Sequence, residues 1–461
     1  MTAHEKILAP VGGVAGARCP GESVQDVYRR DRGELPQFLT ETASAPIEAR
    51  PLTTDVYTSR DFHALELERM WPRVWQMAGR EEDIPEVGDH FVYEIGATSL
   101  IIVRSGAAEI RALYNSCLHR GTALRECGGN VSQFRCPFHA FTWDLHGEIK
   151  RIPSEWDFQD IRGRVAKLPE ARLDTWGGFI FVNLDEEAES LESYLESVPK
   201  DFERWPLDQR FTASHVAKEL DCNWKVAQEA FIEVFHVIGI HPQSLPMFGD
   251  ANAQYDVWPE RRHTSRMINL SAVASPHLRG YSEQRILDAS AEFGLCDRGA
   301  TVPAGKRARD VVVEGMRERF RRDLGVDTSG LCDTEVLDVI QYNVFPNLML
   351  FGGLGSPLVY RVRPQGDDPG RCLFEVWLLL PFPKDAPRPP AAPLRILTAE
   401  DRWSSVEELS YFGAILDQDF DMMPQVQRGL RASKTRQVLL STYQESRIRH
   451  MRQTLDEYVR R

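Results

Sequence analysis

Two mixed Cys/His pairs, Cys117-Leu118-His119 and Cys136-Pro137-Phe138-His139, stand with sixteen residues between them, and each supplies one thiolate and one imidazole. A chain that brings these four side chains together has to fold two loops face to face. Zinc fingers group like ligands, and a redox dithiol needs Cys-x2-Cys, so neither scheme suits the pattern. A two-iron, two-sulfur cluster with asymmetric ligation does suit it, with both thiolates on one iron and both imidazoles on the other. Neutral His in place of thiolate removes negative charge and raises the reduction potential, as a one-electron relay requires. Gly121, Gly128 and Gly129 allow close backbone approach to sulfurs that accept amide donors. Cys127 matches no ligand position and reads as a small buried hydrophobe.

A second constellation follows. Glu229, Glu233 and His236 are spaced i, i+4, i+7, which predicts one helix face bearing all three. His241 comes five residues later, and Gly239 and Pro242 predict a helix end where the chain turns it back. Two His at a helix end need one carboxylate to complete the triad that holds non-haem Fe(II) with positions open for dioxygen. Asp417, Asp419 and Asp421 are the candidates, on a helix predicted over about 399–421. Its inward stripe is Leu409, Phe412, Leu416, Phe420 and Met423; Asp419 borders that stripe, whereas Asp417 and Asp421 rotate towards solvent. Asp419 is therefore the predicted ligand.

At 461 residues, 42% hydrophobic and 27% charged, the chain is long enough for two domains with real cores. A net charge of −13 argues against nucleic acid or an anionic membrane as partner. No run approaches the ~18–20 apolar residues of a membrane span, and eight cysteines in such a chain predict a reducing cytoplasm rather than a disulfide framework. Residues 1–45 read as a mobile arm. Domain one is expected over 46–185, with a helix at 61–73 and short antiparallel strands at 90–95, 100–104, 110–114 and 179–183. A connector at 186–210 leads to domain two, 211–461, with strands at 341–352, 358–363 and 372–380 and a helical cover at 280–337. The fold class is α+β: a small all-β cluster domain, then an antiparallel sheet covered by helices, of helix-grip type. No Gly-x-Gly-x2-Gly fingerprint is present, so a reductase has to be a separate protein.

Cys-x-His-Arg-Gly followed by Cys-Pro-x-His resembles the Rieske signature. Across about 50–450 the chain is similar to the large (alpha) subunit of Rieske non-haem iron ring-hydroxylating oxygenases, including Val426-Gln427-Arg428-Gly429-Leu430 after the carboxylate. The resemblance implies a [2Fe-2S] cluster on Cys117, His119, Cys136 and His139, and mononuclear Fe(II) on His236, His241 and Asp419. It implies that Glu233 bridges a cluster His of one chain to an iron His of the next, in a head-to-tail homotrimer. Electrons from NAD(P)H would arrive through a ferredoxin, a flavin reductase or both; Arg120, Arg125, Arg135, Lys150 and Arg151 near the cluster loops read either as a docking patch for an acidic partner or as solvated charge and donors to the cluster sulfurs. The substrate implied is a hydrophobic, aromatic or polycyclic compound, mono- or cis-dihydroxylated with O2; O- or N-demethylation is the alternative. An apolar lining is expected from Phe231, Phe235, Ile238, Leu245, Met247, Phe345, Leu348 and Leu350, with ordinary core packing as the alternative for these residues. Two departures matter: Glu at 233 matches members built from one subunit type, so a small beta subunit is not expected, and Ala230 stands where many relatives have Asn. Outside this class, an electron-transfer Rieske protein predicts two irons per chain, and a zinc-stabilised binding module predicts a colourless protein.

Overall fold

The computed structural model describes residues 22–45, 47, 51–383 and 385–460. The chain divides into two compact units. Among the described residues, one holds His63–Tyr194 with Pro364–Asp368 and 458–460; the other holds those up to Phe62 with Leu195–Arg363 and Pro369–Glu457.

In the smaller unit, Leu100-Ile101-Ile102-Val103 lies in the strand Thr98–Gly106, completely buried on both faces. That strand is central because its neighbours Asp89–Ile95 and Glu109–Tyr114 pair with it antiparallel on either side. A second small sheet joins Phe134–Arg135, Thr142–Trp143 and Ile149–Arg151, and a third joins Arg172–Trp176, Phe179–Asn183 and Gln76–Arg80. Ile101, Val103, Leu113, Phe134 and Trp143 form a core that also takes in Cys117 and Cys136. The helix expected at 61–73 is not uniform. It runs as Arg60–Leu65, widens into a π-helical turn at Glu66–Met70, and closes in a 3₁₀ turn at Trp71–Arg73, where Pro72 cannot continue the ladder.

The larger unit is built on an eight-stranded sheet. Its order is Phe248–Asp256, Thr264–Ser271, Val339–Val344, Leu348–Gly352, Leu358–Pro364, Cys372–Pro381, Arg210–Leu220 and Leu394–Leu397. The strands from Phe248–Asp256 through Leu358–Pro364 pair antiparallel, as do Cys372–Pro381 and Arg210–Leu220, whereas Leu394–Leu397 joins Arg210–Leu220 parallel. The single strand expected at 341–352 is a hairpin instead, because Pro346 has no N–H to give a ladder. Helices Glu283–Glu292, Ala308–Leu324 and Asp333–Leu337 supply the expected cover and share a core with Ala272 and Met247.

Two expectations need correction. Residues 1–21 of the supposed mobile arm lie outside the described residues, but the rest is packed: Val24, Val27, Tyr28 and Leu39 are buried, and Arg266 donates to the carbonyls of Phe38 and Glu41. The C-terminal helix starts at Ser410 rather than near 399, and reaches Ala432. Upstream, the chain is held in 3₁₀ turns, Trp403–Ser405 and Glu407–Leu409, by a side chain of the helix itself. Asp417 accepts from the Trp403 amide at 2.7 Å and from the Ser404 hydroxyl at 2.6 Å. Asp417 is thus buried, not solvent-facing; Asp421 is exposed and pairs with Arg402 at 2.8 Å. Among the described residues no helix is long and apolar enough to cross a membrane.

Candidate metal centres

The two Cys/His loops have the same form. In each, the cysteine amide donates to the carbonyl five residues on, Cys117 to Thr122 at 2.9 Å and Cys136 to Phe141 at 2.8 Å. In each, the amide four residues on returns to the cysteine carbonyl, Gly121 at 2.8 Å and Ala140 at 3.1 Å. The turn needs positive φ at that fourth residue, 80° at Gly121 and 60° at Ala140. Amides two and three residues past each cysteine, at His119 and Arg120 and at Phe138 and His139, aim at its sulfur. The two thiols hydrogen-bond to each other, and the His119 and His139 rings lie 4.6 Å apart. Thiols paired with thiol and imidazole with imidazole is the division a two-iron cluster with asymmetric ligands demands. Burial pushes the Cys117 thiol up. At Cys136 burial also opposes ionisation, but the His139 and Phe138 amides and the Thr122 hydroxyl outweigh it and bring the thiol below its ordinary range.

Sequence reasoning missed Thr122, whose carbonyl braces one loop while its hydroxyl reaches the sulfur of the other. The equivalent residue of the second loop, Phe141, stacks on His119 at 4.8 Å. Cys127 is exposed, contrary to expectation, since the loop that carries it lies at the surface. Gly128 serves strand packing rather than sulfur: a Cβ there would lie 2.9 Å from the His90 carbonyl. Of the five basic residues near the loops, Arg125 is committed to the carbonyls of Leu124 and Gln133 and Lys150 to Asp144, leaving Arg120, Arg135 and Arg151 more open to solvent.

The second centre departs from the expected single helix face. The helix Trp224–Phe231, capped by Asn223, ends two residues before Glu233. Its last carbonyls go elsewhere: Phe231 O accepts from Gln341 Nε2 at 2.6 Å, and Ile232 O from Arg447 at 3.0 Å. Tyr255 then accepts the Val234 amide at 3.2 Å, and a one-turn helix, Val237–Ile240, follows. The break separates the three residues. Glu229 turns away to Tyr57 at 2.9 Å and to Arg452, while burial raises its carboxyl above the usual range. Glu233 and His236 go to the metal side.

There His236, His241 and Asp419 meet, with one possible ligand atom from each lying within 4.8 Å of the others. Asp419 reaches them because its helix is clamped by aromatic packing: Phe420 lies 4.8 Å from Phe374, 5.1 Å from Trp403 and 5.8 Å from Phe231. His236 Nδ1 faces Glu233 Oε1 at 2.7 Å, and His241 Nδ1 faces Gln418 Oε1 at 2.8 Å. Both Nε2 atoms face Asp419 Oδ1, at 3.7 and 2.8 Å. A neutral imidazole has one N–H, so a ring with oxygen acceptors at both nitrogens calls for a further cation, a proton or a metal ion. Burial disfavours charge on His236, yet Glu233 and Asp419 outweigh it and hold that imidazole up at about 9. Two imidazoles turned by their Nδ1 partners and one carboxylate form a donor set that fits Fe(II).

A cavity of about 150 Å³, partly open to solvent, faces this triad. Phe231 and Met247 line it as expected, and Ala230 lines it too, but Phe235, Ile238, Leu245, Phe345, Leu348 and Leu350 do not. Strand alternation explains two of these: Phe351 points into the cavity, so Leu350 points to the opposite face, as does Leu348. Phe235 is 44% exposed. Tyr360, Phe412 and Phe293 complete the wall.

Comparison with known proteins agrees with this division. Residues 74–173 match the Rieske [2Fe-2S] domain, and residues 199–461 match the ring hydroxylating alpha subunit (catalytic domain). The chain is 33% identical over 189 residues to benzene 1,2-dioxygenase subunit alpha of Pseudomonas putida, covering 39% of this chain and 42% of that protein. It is 32% identical over 218 residues to biphenyl 2,3-dioxygenase subunit alpha of Rhodococcus jostii, covering 44% and 46%. The chain thus spans less than half the length of these curated relatives. Two solved structures share the fold: a naphthalene 1,2-dioxygenase variant bound to phenanthrene, at TM-score 0.62 and 18% identity over 90% of this chain and 94% of that one, and a quaternary ammonium Rieske monooxygenase, at 0.61 and 16% over 91% and 100%. With the second match alone covering more than half of its residues, the chain belongs to the ring-hydroxylating alpha-subunit family and carries that family's Rieske [2Fe-2S] domain.

Proposed function

We propose that the chain is the oxygenase component of a multicomponent system that hydroxylates a hydrophobic, aromatic substrate with O2 and NAD(P)H-derived electrons. The observation that carries this reading is the triad His236, His241 and Asp419 opening directly on an apolar cavity. When bound, a cluster at Cys117, His119, Cys136 and His139 supplies electrons one at a time, and ferrous iron at the triad supplies dioxygen activation. The side chains do the rest. Glu233 and Gln418 each hold a His Nδ1 proton, which turns Nε2 towards the metal side. The apolar wall excludes water and positions a hydrocarbon beside the triad. Glu233 is the acidic bridge between a cluster imidazole of one copy and His236 of the next, which makes a homotrimer without a beta subunit the working assembly. A separate ferredoxin or flavin reductase delivers the electrons, and a cytoplasmic setting suits seven free cysteines among the described residues.

A second reading is supported by the rings of Phe231, Phe351 and Tyr360, each 5.1–5.2 Å from its neighbour in the cavity wall. Such faces attract a quaternary ammonium group, and among relatives is the glycine betaine monooxygenase oxygenase subunit of Pseudomonas aeruginosa, 25% identical over 56% of this chain and 62% of that protein. Oxygen uptake by reconstituted protein, with product analysis, separates the two: a hydroxylated ring supports the first, formaldehyde from a methylammonium compound supports the second, and no substrate-dependent uptake with either class refutes both.

A further inference from the structure

The cavity has two ends, and separate elements measure the distance between them. On the long helix, Asp419 stands at the metal end and Tyr411 at the other, eight residues or about 12 Å away at helical rise. On the strand Thr264–Ser271, Met267 packs with Val234 and Val237 beside His236, and Ser271 lies four residues on, about 13 Å along the strand. On the opposite wall Tyr360 lies 5.1 Å from Phe231 near the metal ligands, and Ser356 precedes it by four residues, beyond the start of the strand, where the chain turns with the Leu358 amide on the Ser356 carbonyl. The remote end is closed where Phe293 meets Tyr411 at 6.0 Å.

The polar groups are unevenly placed along this length. The carboxylates and imidazoles that line the cavity, Glu233, His236, His241 and Asp419, all sit at the metal end. A third serine, Ser244, lines the metal end, where its amide donates to the His241 carbonyl at 2.8 Å, and at the remote end stand two serines, Ser271 and Ser356, only 5% and 4% exposed. Their hydrogen bonds among the described residues run through their backbones: the Ser271 amide donates to Asp338 at 2.8 Å, its carbonyl accepts from Arg309 at 3.0 Å, and the Ser356 carbonyl accepts from the Leu358 amide at 2.8 Å. Both hydroxyls are left to the cavity. Buried hydroxyls in an otherwise apolar wall select a ligand that offers them a partner, because one lacking it leaves them unsatisfied.

We infer that the cavity takes an elongated, neutral molecule of two or three rings, hydrocarbon at the metal end and carrying a hydroxyl or carbonyl group at the end held by Ser271 and Ser356. Only the statement of which end reacts rests on the oxygenase reading above; the shape and polarity of the ligand do not. The length excludes single-ring compounds as good ligands, and the absence of a cationic lining residue at the remote end excludes a carboxylate there.

Equilibrium binding of phenol, biphenyl and 4-hydroxybiphenyl to the anaerobic, iron-loaded protein tests the inference. 4-Hydroxybiphenyl is expected to bind about tenfold tighter than biphenyl, the contribution of one neutral hydrogen bond, and phenol much more weakly than either. In the Ser271→Ala/Ser356→Ala double variant the preference should vanish, and continued biphenyl binding shows that the cavity is still formed. Equal affinity for the two biaryls in the unaltered protein, a preference that survives the double substitution, or no binding of either biaryl would overturn it. Oxygen uptake with reductase, recorded in parallel, keeps the readings apart. A serine-dependent preference without uptake sinks the oxygenase reading and leaves the cavity assignment, whereas uptake on biphenyl without the preference does the reverse.

Discussion

Glu233 makes two contacts with one carboxylate: Oε1 accepts the His236 Nδ1 proton at 2.7 Å, and Oε2 accepts the His236 amide at 3.0 Å. Glu233→Gln keeps the shape and an acceptor but removes the charge. Iron content and the cluster spectrum should stay as they are while coupled turnover falls about 10–100-fold, the usual effect of altering a ligand's hydrogen-bond partner; unchanged turnover would remove the bridge from the account. Thr122 acts at the other centre. Its hydroxyl donates to the Cys136 sulfur, a bond that favours the more negative, reduced cluster. Thr122→Val should lower the midpoint potential by about 50 mV, one hydrogen bond expressed for a one-electron couple. A spectroscopic redox titration reads this directly, and an unmoved potential would show that the hydroxyl does not reach the ligated sulfur. Neither Gln418 nor Thr122 carried a signal in the sequence, since an amide or hydroxyl beside a ligand becomes informative only when its direction is known.

At the scale of elements, the legible features were those fixed by local chemistry. The strand Phe179–Asn183 was read to the residue, because a short apolar run following Gly177-Gly178 decides it locally. The break after Phe231 was not legible. Periodicity predicts a helix running through Glu233 to His236, and what stops it are Gln341 and Arg447, 110 and 215 residues away. The same holds for the late start of the C-terminal helix, which depends on Asp417 capturing the backbone of Trp403 and Ser404. Arg447 is wholly buried and holds Ile232 O and Gln341 Oε1. Arg447→Met should cost about 2–3 kcal/mol by leaving those buried acceptors unpaired. Chemical denaturation should show the loss in the unit that carries the triad, accompanied by a lower yield of bound iron with the cluster spectrum intact; full iron content at unaltered stability would contradict the role given to this junction.

For the molecule as a whole, both constellations were visible in the sequence because ligand chemistry restricts residue type and spacing so tightly. Cys117, His119, Cys136 and His139 come together in one unit, and His236, His241 and Asp419 in the other. Helical phase placed Asp421 outside correctly but did not separate Asp419 from Asp417, which is also buried and turned to the Trp403 amide and the Ser404 hydroxyl. The cavity was less legible, since which apolar residues face it depends on strand phase and on a hairpin that the sequence presented as one strand. The account rests on two separate iron sites in one chain. Iron and acid-labile sulfide, measured on the fully loaded protein and on Asp419→Ala, test it most directly. Three irons and two sulfides per chain are predicted for the unaltered protein, and two irons with an unchanged visible spectrum for the variant. Two irons in both, or loss of the cluster on changing Asp419, would contradict it.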